Sequence, residues 1–207
     1  MPRIIDHDAK RREVAALTRK LIARSGINNV SMRSIAEAAG SSTAVVSYYF
    51  SDKNALLLHI YRENIERARA RRKAIPRGGI DRLLEFCDEL LVTTDEQAEG
   101  WAIALVFTAM ATSDERFAEE YRTNVILARE QFRVRFSDCV AQGDADPALD
   151  CEAAARRLLA LIQGLSTEAA IDRTDWSAER QRKLIRAEIE SLTGRPIPDQ
   201  SLASADR

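Results

Sequence analysis

One short stretch of the chain is crowded with side chains that donate hydrogen bonds to phosphate oxygens and to base edges. Residues 31–56 read SMRSIAEAAGSSTAVVSYYFSDKNAL. Ser31, Arg33, Ser42, Thr43, Ser47, Tyr48, Tyr49 and Lys53 are the donors. The chain offers little for covalent catalysis. It has no GxSxG, no phosphate-cradling glycine loop and no paired-carboxylate signature, so an enzyme is not expected. The two histidines, His7 and His59, are far apart in sequence and outside any HExxH pattern. The three cysteines, Cys87, Cys139 and Cys151, lack CxxC spacing and are odd in number. Neither a metal, another cofactor nor a disulfide framework is implied.

Such donors read DNA only when a rigid frame presents them. Ala36, Gly40 and Val46 supply one. A small side chain at Ala36 lets two helices cross closely. Gly40 tolerates the positive φ of the turn between them, and Val46 anchors the second helix inward. Helices over 31–39 and 42–50 are therefore predicted, with Ser31 capping the first and Ser41 or Ser42 the second. Ser51 or Asp52 starts another helix with Lys53 in its first turn. A cation there opposes the helix dipole, and a bound phosphate would account for it.

The string AxxAGSSxAxVSYYFSDKNALL resembles the DNA-binding signature of the TetR family of transcriptional regulators. Ala39-Gly40, Tyr49-Phe50, Lys53 and Leu56-Leu57 fall where that family has AG, YF, K and LL. Ser41, Ala44 and Ser47 depart from its usual residues. Serine followed by an aromatic pair is similar to the BetI-like branch, whose namesake responds to choline. The resemblance implies an N-terminal three-helix DNA-binding module, a helical ligand-binding and dimerisation domain, and no enzyme activity. Tyr49, Lys53 and Ser31 are expected at phosphates. Arg33, Thr43, Ser47 and Tyr48 are expected near bases, with Ser42 beside them.

Charge supports a polyanion partner. Residues 1–75 hold 15 Lys/Arg against 7 Asp/Glu, and the remainder 16 against 25, so a +8 first third precedes a −9 body. Lys10, Arg11 and Arg12 are placed to touch a DNA backbone.

Apolar periodicity predicts about nine helices and an all-α fold. The remaining spans are 8–25, 52–75, 80–92, 96–112, 114–142, 150–172 and 177–193. Glycines and prolines punctuate them. The helix over 96–112 is nearly apolar and is expected to be buried on most sides. Domains are expected over 1–51 and 52–194, with a flexible tail over 195–207. No run is apolar enough to span a membrane, and MPRIIDHDAKRRE has no apolar core of signal-peptide length. A cytoplasmic location is expected.

Two further sites are anticipated. The last two helices carry apolar stripes that could pair with a second copy: Leu158, Leu161, Ile162, Leu165, Leu184, Ile185 and Leu192. Packing within one subunit would give the same pattern. Phe86, Leu90, Trp101, Leu105, Phe107 and Tyr121, with Gln163, are candidate walls of a ligand pocket. A quaternary ammonium such as choline could sit over Trp101 or Tyr121. The functional expectation is a homodimeric repressor on a palindromic double-stranded DNA operator, released by a small-molecule effector. The alternatives are an activator or chromosome-organising protein on the same fold, or a small-molecule-binding adaptor without DNA binding.

Overall fold

The computed structural model describes residues 7–197. They form nine α-helices with no strand among the described residues. The first three are α1 (His7–Ser25), α2 (Met32–Ala38) and α3 (Thr43–Tyr49). Then come α4 (Lys53–Ala74), α5 (Ile80–Asp88) and α6 (Asp95–Ala111). The last three are α7 (Glu115–Gln142), α8 (Cys151–Ile171) and α9 (Ala178–Thr193).

Local chemistry sets the boundaries. Ser31 and Ser34 form a reciprocal capping box at the start of α2. Ser42 accepts from the Val45 amide, and Asp52 from the Ala55 amide. Gly40 takes φ +56° between α2 and α3, a conformation that side-chain-bearing residues avoid. A 3₁₀ turn over Ile27–Asn29, which the apolar spacing does not reveal, separates α1 from α2. The fifth helix ends at Asp88, earlier than the spacing predicts. Thr94 and Gln97 form a capping box that starts α6, and Gln97 Nε2 also donates to the Asp88 carbonyl, so 89–94 becomes a turn.

Val14, Ile35, Val46, Phe50, Leu56 and Ile60 bury one core between α1, α2, α3 and the first half of α4. Phe86, Phe132, Phe136, Leu158, Ile162 and Ile185 bury the body core. Leu57, Tyr61, Phe107 and Phe117 form a third cluster between them, where the Tyr61 and Phe107 rings stack at 3.5 Å. The fourth helix thus belongs to both units, whatever boundary is drawn at 51–52. Arg19 to Glu63 (2.7 Å) ties it to α1, and Arg62 to Glu120 (2.7 Å) ties it to α7.

Three expectations need correction. The apolar α6 buries only Ile103 and Phe107 fully, because much of its apolar surface borders a cavity. Leu158, Ile162, Leu165 and Ile185 are buried within the protomer, which leaves Leu161, Leu184 and Leu192 as the members of the proposed interface still reaching the surface. The expected tail over 195–207 begins with an anchored segment. Ile197 is buried, its amide donates to Glu190 Oε1, and its carbonyl accepts from Arg186. Residues 198–207 lie outside the described residues.

Candidate nucleic-acid interface and ligand cavity

The exposed face of α3 carries Thr43, Ala44, Ser47 and Tyr48, while Val46 and Tyr49 point inward. Successive helical residues diverge by about 100°, so one tyrosine turns outward and the other inward, although both rings lie beside His7 at 5.8 and 5.9 Å. Tyr48 is 72% exposed. Tyr49 instead holds α1 to α3. Its hydroxyl lies 3.4 Å from His7 Nδ1, and its carbonyl accepts from Arg11 Nη2 at 3.0 Å. That packing departs from the expected phosphate contact. Ser31 and Ser42 are exposed at the helix starts, their hydroxyls already capping. Arg33 is exposed and donates to Glu37 Oε1 along its own helix at 3.0 Å.

Lys53 has a structural partner that the sequence hid. Its ammonium donates to the Ile27 carbonyl at 2.8 Å, joining α4 to the 3₁₀ turn. Asp52 supplies the anion at this helix start, and the Ala55 amide holds its carboxyl below the usual carboxylate range. A phosphate is therefore not needed to explain the lysine. Lys10 pairs with Glu13 at 2.9 Å, and the Arg11 guanidinium lies over Phe50. Arg12 stays exposed. Val45, 42% exposed on the same helix, is an apolar neighbour of the reading face.

A cavity of about 210 Å³ lies between α4, α6, α7 and α8. Leu90, Trp101, Leu105, Tyr121 and Gln163 line it. Phe86 and Phe107 do not. Phe86 is buried edge-on against Phe132 beneath Arg135, and Phe107 is stacked between Tyr61 and Phe117. The walls are held by hydrogen bonds. Trp101 Nε1 and Ser166 Oγ both donate to the Leu90 carbonyl, at 2.9 and 3.0 Å. Gln163 Nε2 donates to the Tyr121 hydroxyl at 3.4 Å. Burial pushes the Tyr61 phenol, also in the wall, up to about 12.

The C-terminal part of α4 contributes what sequence reasoning missed: Arg69, Arg71 and Arg72 all reach the cavity wall. Arg69 donates to Glu66 and Asn124, and Arg71 to Glu89 and Glu96. Arg72 is buried, and burial first, then the charges of Arg69 and Arg71, lower its pKa to about 10. In the sequence the run RARARRK reads equally as a solvated helix face or as part of the basic, polyanion-facing third. No group of residues suited to a metal ion occurs among the described residues. No helix there is long and apolar enough to cross a membrane.

An exposed helix-turn-helix joined by one long helix to a cavity-bearing helical body defines a one-component regulator. The chain matches "Bacterial regulatory proteins, tetR family" over residues 15–60 and "BetI-type transcriptional repressor, C-terminal" over residues 79–194. It belongs to the TetR family of transcriptional regulators. The regulator PksA of Bacillus subtilis (strain 168) is 26% identical over 197 residues, spanning 93% of this chain and 94% of PksA. BetI of Escherichia coli (strain K12) is 27% identical over 191 residues, spanning 90% and 95%. Among solved structures, a transcriptional regulator from Saccharomonospora viridis in complex with choline is 25% identical with a TM-score of 0.81, covering 88% of this chain and 96% of that one. A TetR regulator from Haloarcula marismortui gives a TM-score of 0.79 at 23% identity, over 89% and 98%, and shares the fold.

Proposed function

We propose that this regulator is a repressor that binds a palindromic operator as a homodimer and leaves it when a small molecule fills the cavity. The carrying observation is the sharing of α4. Its first half is core to the reading module, and its second half, from Tyr61 to Arg72, is cavity wall. At 1.5 Å per residue, Lys53 and Arg72 lie about 28 Å apart along one rod. A ligand that favours one tilt of that rod shifts the reader, provided it binds the two arrangements with different affinity.

Geometry supports a dimer. One seven-residue reading helix contacts few base pairs, whereas two readers about 34–36 Å apart address two half-sites. Exposed Leu184 and Ile171, with Leu161 and Leu192 half-buried beside the body core, give α8 and α9 apolar surface for the pairing. Arg33, Thr43, Ser47 and Tyr48 approach base edges, and Ser31, Ser42 and Arg12 lie along the flanks.

A quaternary ammonium effector has two supports: the Trp101 and Tyr121 rings in the wall, and the choline bound to the S. viridis regulator. The wall charge opposes it. The functional test is a gel shift against genomic fragments. Retention of a discrete fragment, with release on adding an effector, is the expected result. Failure to retain any fragment would leave the adaptor reading.

A further inference from the structure

Arg72 and Arg135 are both buried arginines near the Phe86 ring, and they have opposite fates. Arg135 lies 4.1 Å from the ring centroid and donates to the carbonyls of Pro76 and Ile75 at 3.1 and 3.2 Å. Those carbonyls follow the end of α4, so Arg135 closes the helix terminus. Arg72 is 8% exposed, its Nε is buried without a hydrogen-bond partner, and it makes no ion pair among the described residues. The Phe86 ring, 6.0 Å from its guanidinium carbon, is a distant contact, and a buried N–H with no acceptor is costly.

Within the protein the Arg72 charge is offset only in part, by Glu89. Glu89 is the one acidic residue in the cavity wall, and it pairs with Arg71 at 2.9 Å. Arg69 and Arg71 add to the positive field rather than offset it. The helix dipole favours cations in the last turn of α4. Exposed Lys73 and half-buried Arg71 satisfy that preference without a third cation inside the protein. The rest of the wall is chiefly apolar, with Leu90, Trp101, Leu105, Val125 and Leu159 facing the same space.

We infer that the effector of this regulator carries an anionic head, a carboxylate on an apolar body, and that Arg72 is its charge partner. The inference rests on the cavity being the effector site and adds the chemical class of the occupant. A guanidinium pairs with a carboxylate through two parallel N–H donors, and in a desolvated site that pair is strong. A cation would instead enter a wall bearing three arginines and a single, already paired, glutamate. The apolar lining selects a carboxylate with a hydrocarbon or aryl body over a bare inorganic anion.

The test uses the full chain and matched probes. Octanoate and 3-phenylpropanoate are compared with octyltrimethylammonium and (2-phenylethyl)trimethylammonium, and with inorganic phosphate, in a thermal-shift titration. A carboxylate is expected to raise the Tm, with the ammonium partners and phosphate leaving it unchanged. Arg72→Gln is expected to weaken carboxylate binding about 30-fold or more, with Arg72→Lys weakened less. The Tm of unliganded Arg72→Gln is expected to match or exceed that of the parent, because an uncompensated charge is gone. Stabilisation by an ammonium but not by its carboxylate partner, no shift with either carboxylate, or equal carboxylate shifts in parent and Arg72→Gln would each overturn the inference. If Arg72→Gln does not fold, the matched heads on the parent protein decide alone. A gel shift separates the two readings. DNA retention without a carboxylate response removes the anion and keeps the regulator, whereas a carboxylate response without DNA retention does the reverse.

Discussion

The Lys53 ammonium and the Ile27 carbonyl oxygen lie 2.8 Å apart, and this contact fastens the first turn of α4 to the turn that follows α1. It gives a residue of the DNA-binding signature a structural task. The two tasks are not exclusive, because an ammonium has three donors and the carbonyl takes one. Lys53→Ala is expected to destabilise the protein by about 1–2 kcal/mol, as loss of a charged, part-buried hydrogen bond should. It should also weaken specific and random DNA alike and lower the salt slope by about one unit. Denaturant melts and binding at several salt concentrations measure both. A stability loss with an unchanged slope would assign Lys53 to the turn alone.

Thr43→Ala is expected to behave differently. Thr43 opens α3 on its exposed face, away from buried Val46 and Tyr49. Its removal should leave the Tm nearly unchanged and relax the preference at one operator position by about 1–3 kcal/mol. Selection of binding sites from random DNA, parent against variant, reads this directly. Equal losses on specific and random DNA would remove Thr43 from the reading set.

His59 is expected to make the fold sensitive to mild acid. Its pKa is lowered from 6.5, mainly by burial, with Arg11, Arg19 and Arg62 adding to the effect and Glu63 opposing it. Phe50 packs on its ring at 5.3 Å. A lowered folded-state pKa means that the unfolded chain binds the proton more readily. Stability is therefore fully present above pH 6.5 and falls as pH drops through the folded value. The lowered carboxylates, Asp52 among them, lose their contributions only nearer their own acidic range. Melts between pH 7.5 and 5 should show a steeper decline for the parent than for His59→Gln. Parallel curves would exclude His59 as the cause.

The reading module was legible because its constraints are local. A serine cap, a glycine at φ +56° and an alanine at the crossing leave a mark at fixed positions. The turn tests this reading. An added Cβ at Gly40 meets nothing within 4 Å, so Gly40→Ala carries only backbone strain, about 1–2 kcal/mol. A Tm unchanged by that substitution would show the turn able to relax. The cavity was less legible because pocket and core share one vocabulary. Phe86 and Phe107 looked the same as Trp101 and Leu105 in sequence, and only the packing of Phe132 and Tyr61 against the first two separates them. Arg72 was hidden because a helical charge run does not say which of its members turns inward.

The face of α8 and α9 shows the same ambiguity and leads to the last expectation. Leu158 and Leu184 belong to similar stripes, yet Leu158 is fully buried in its own subunit and Leu184 is 37% exposed. Leu158→Arg forces a charge into the body core and should unfold the protein. Leu184→Arg sits at the surface, where substitutions rarely change stability by more than about 0.5 kcal/mol. If two copies pair through this face, that arginine meets its two-fold mate or an apolar neighbour on desolvation. Leu184→Arg should then keep the parent's helix content and Tm while sedimenting as a single chain. Its affinity for a palindromic operator should fall towards that for one half-site. A folded Leu184→Arg that remains paired would place the interface away from α9, and the outward leucines would need another explanation.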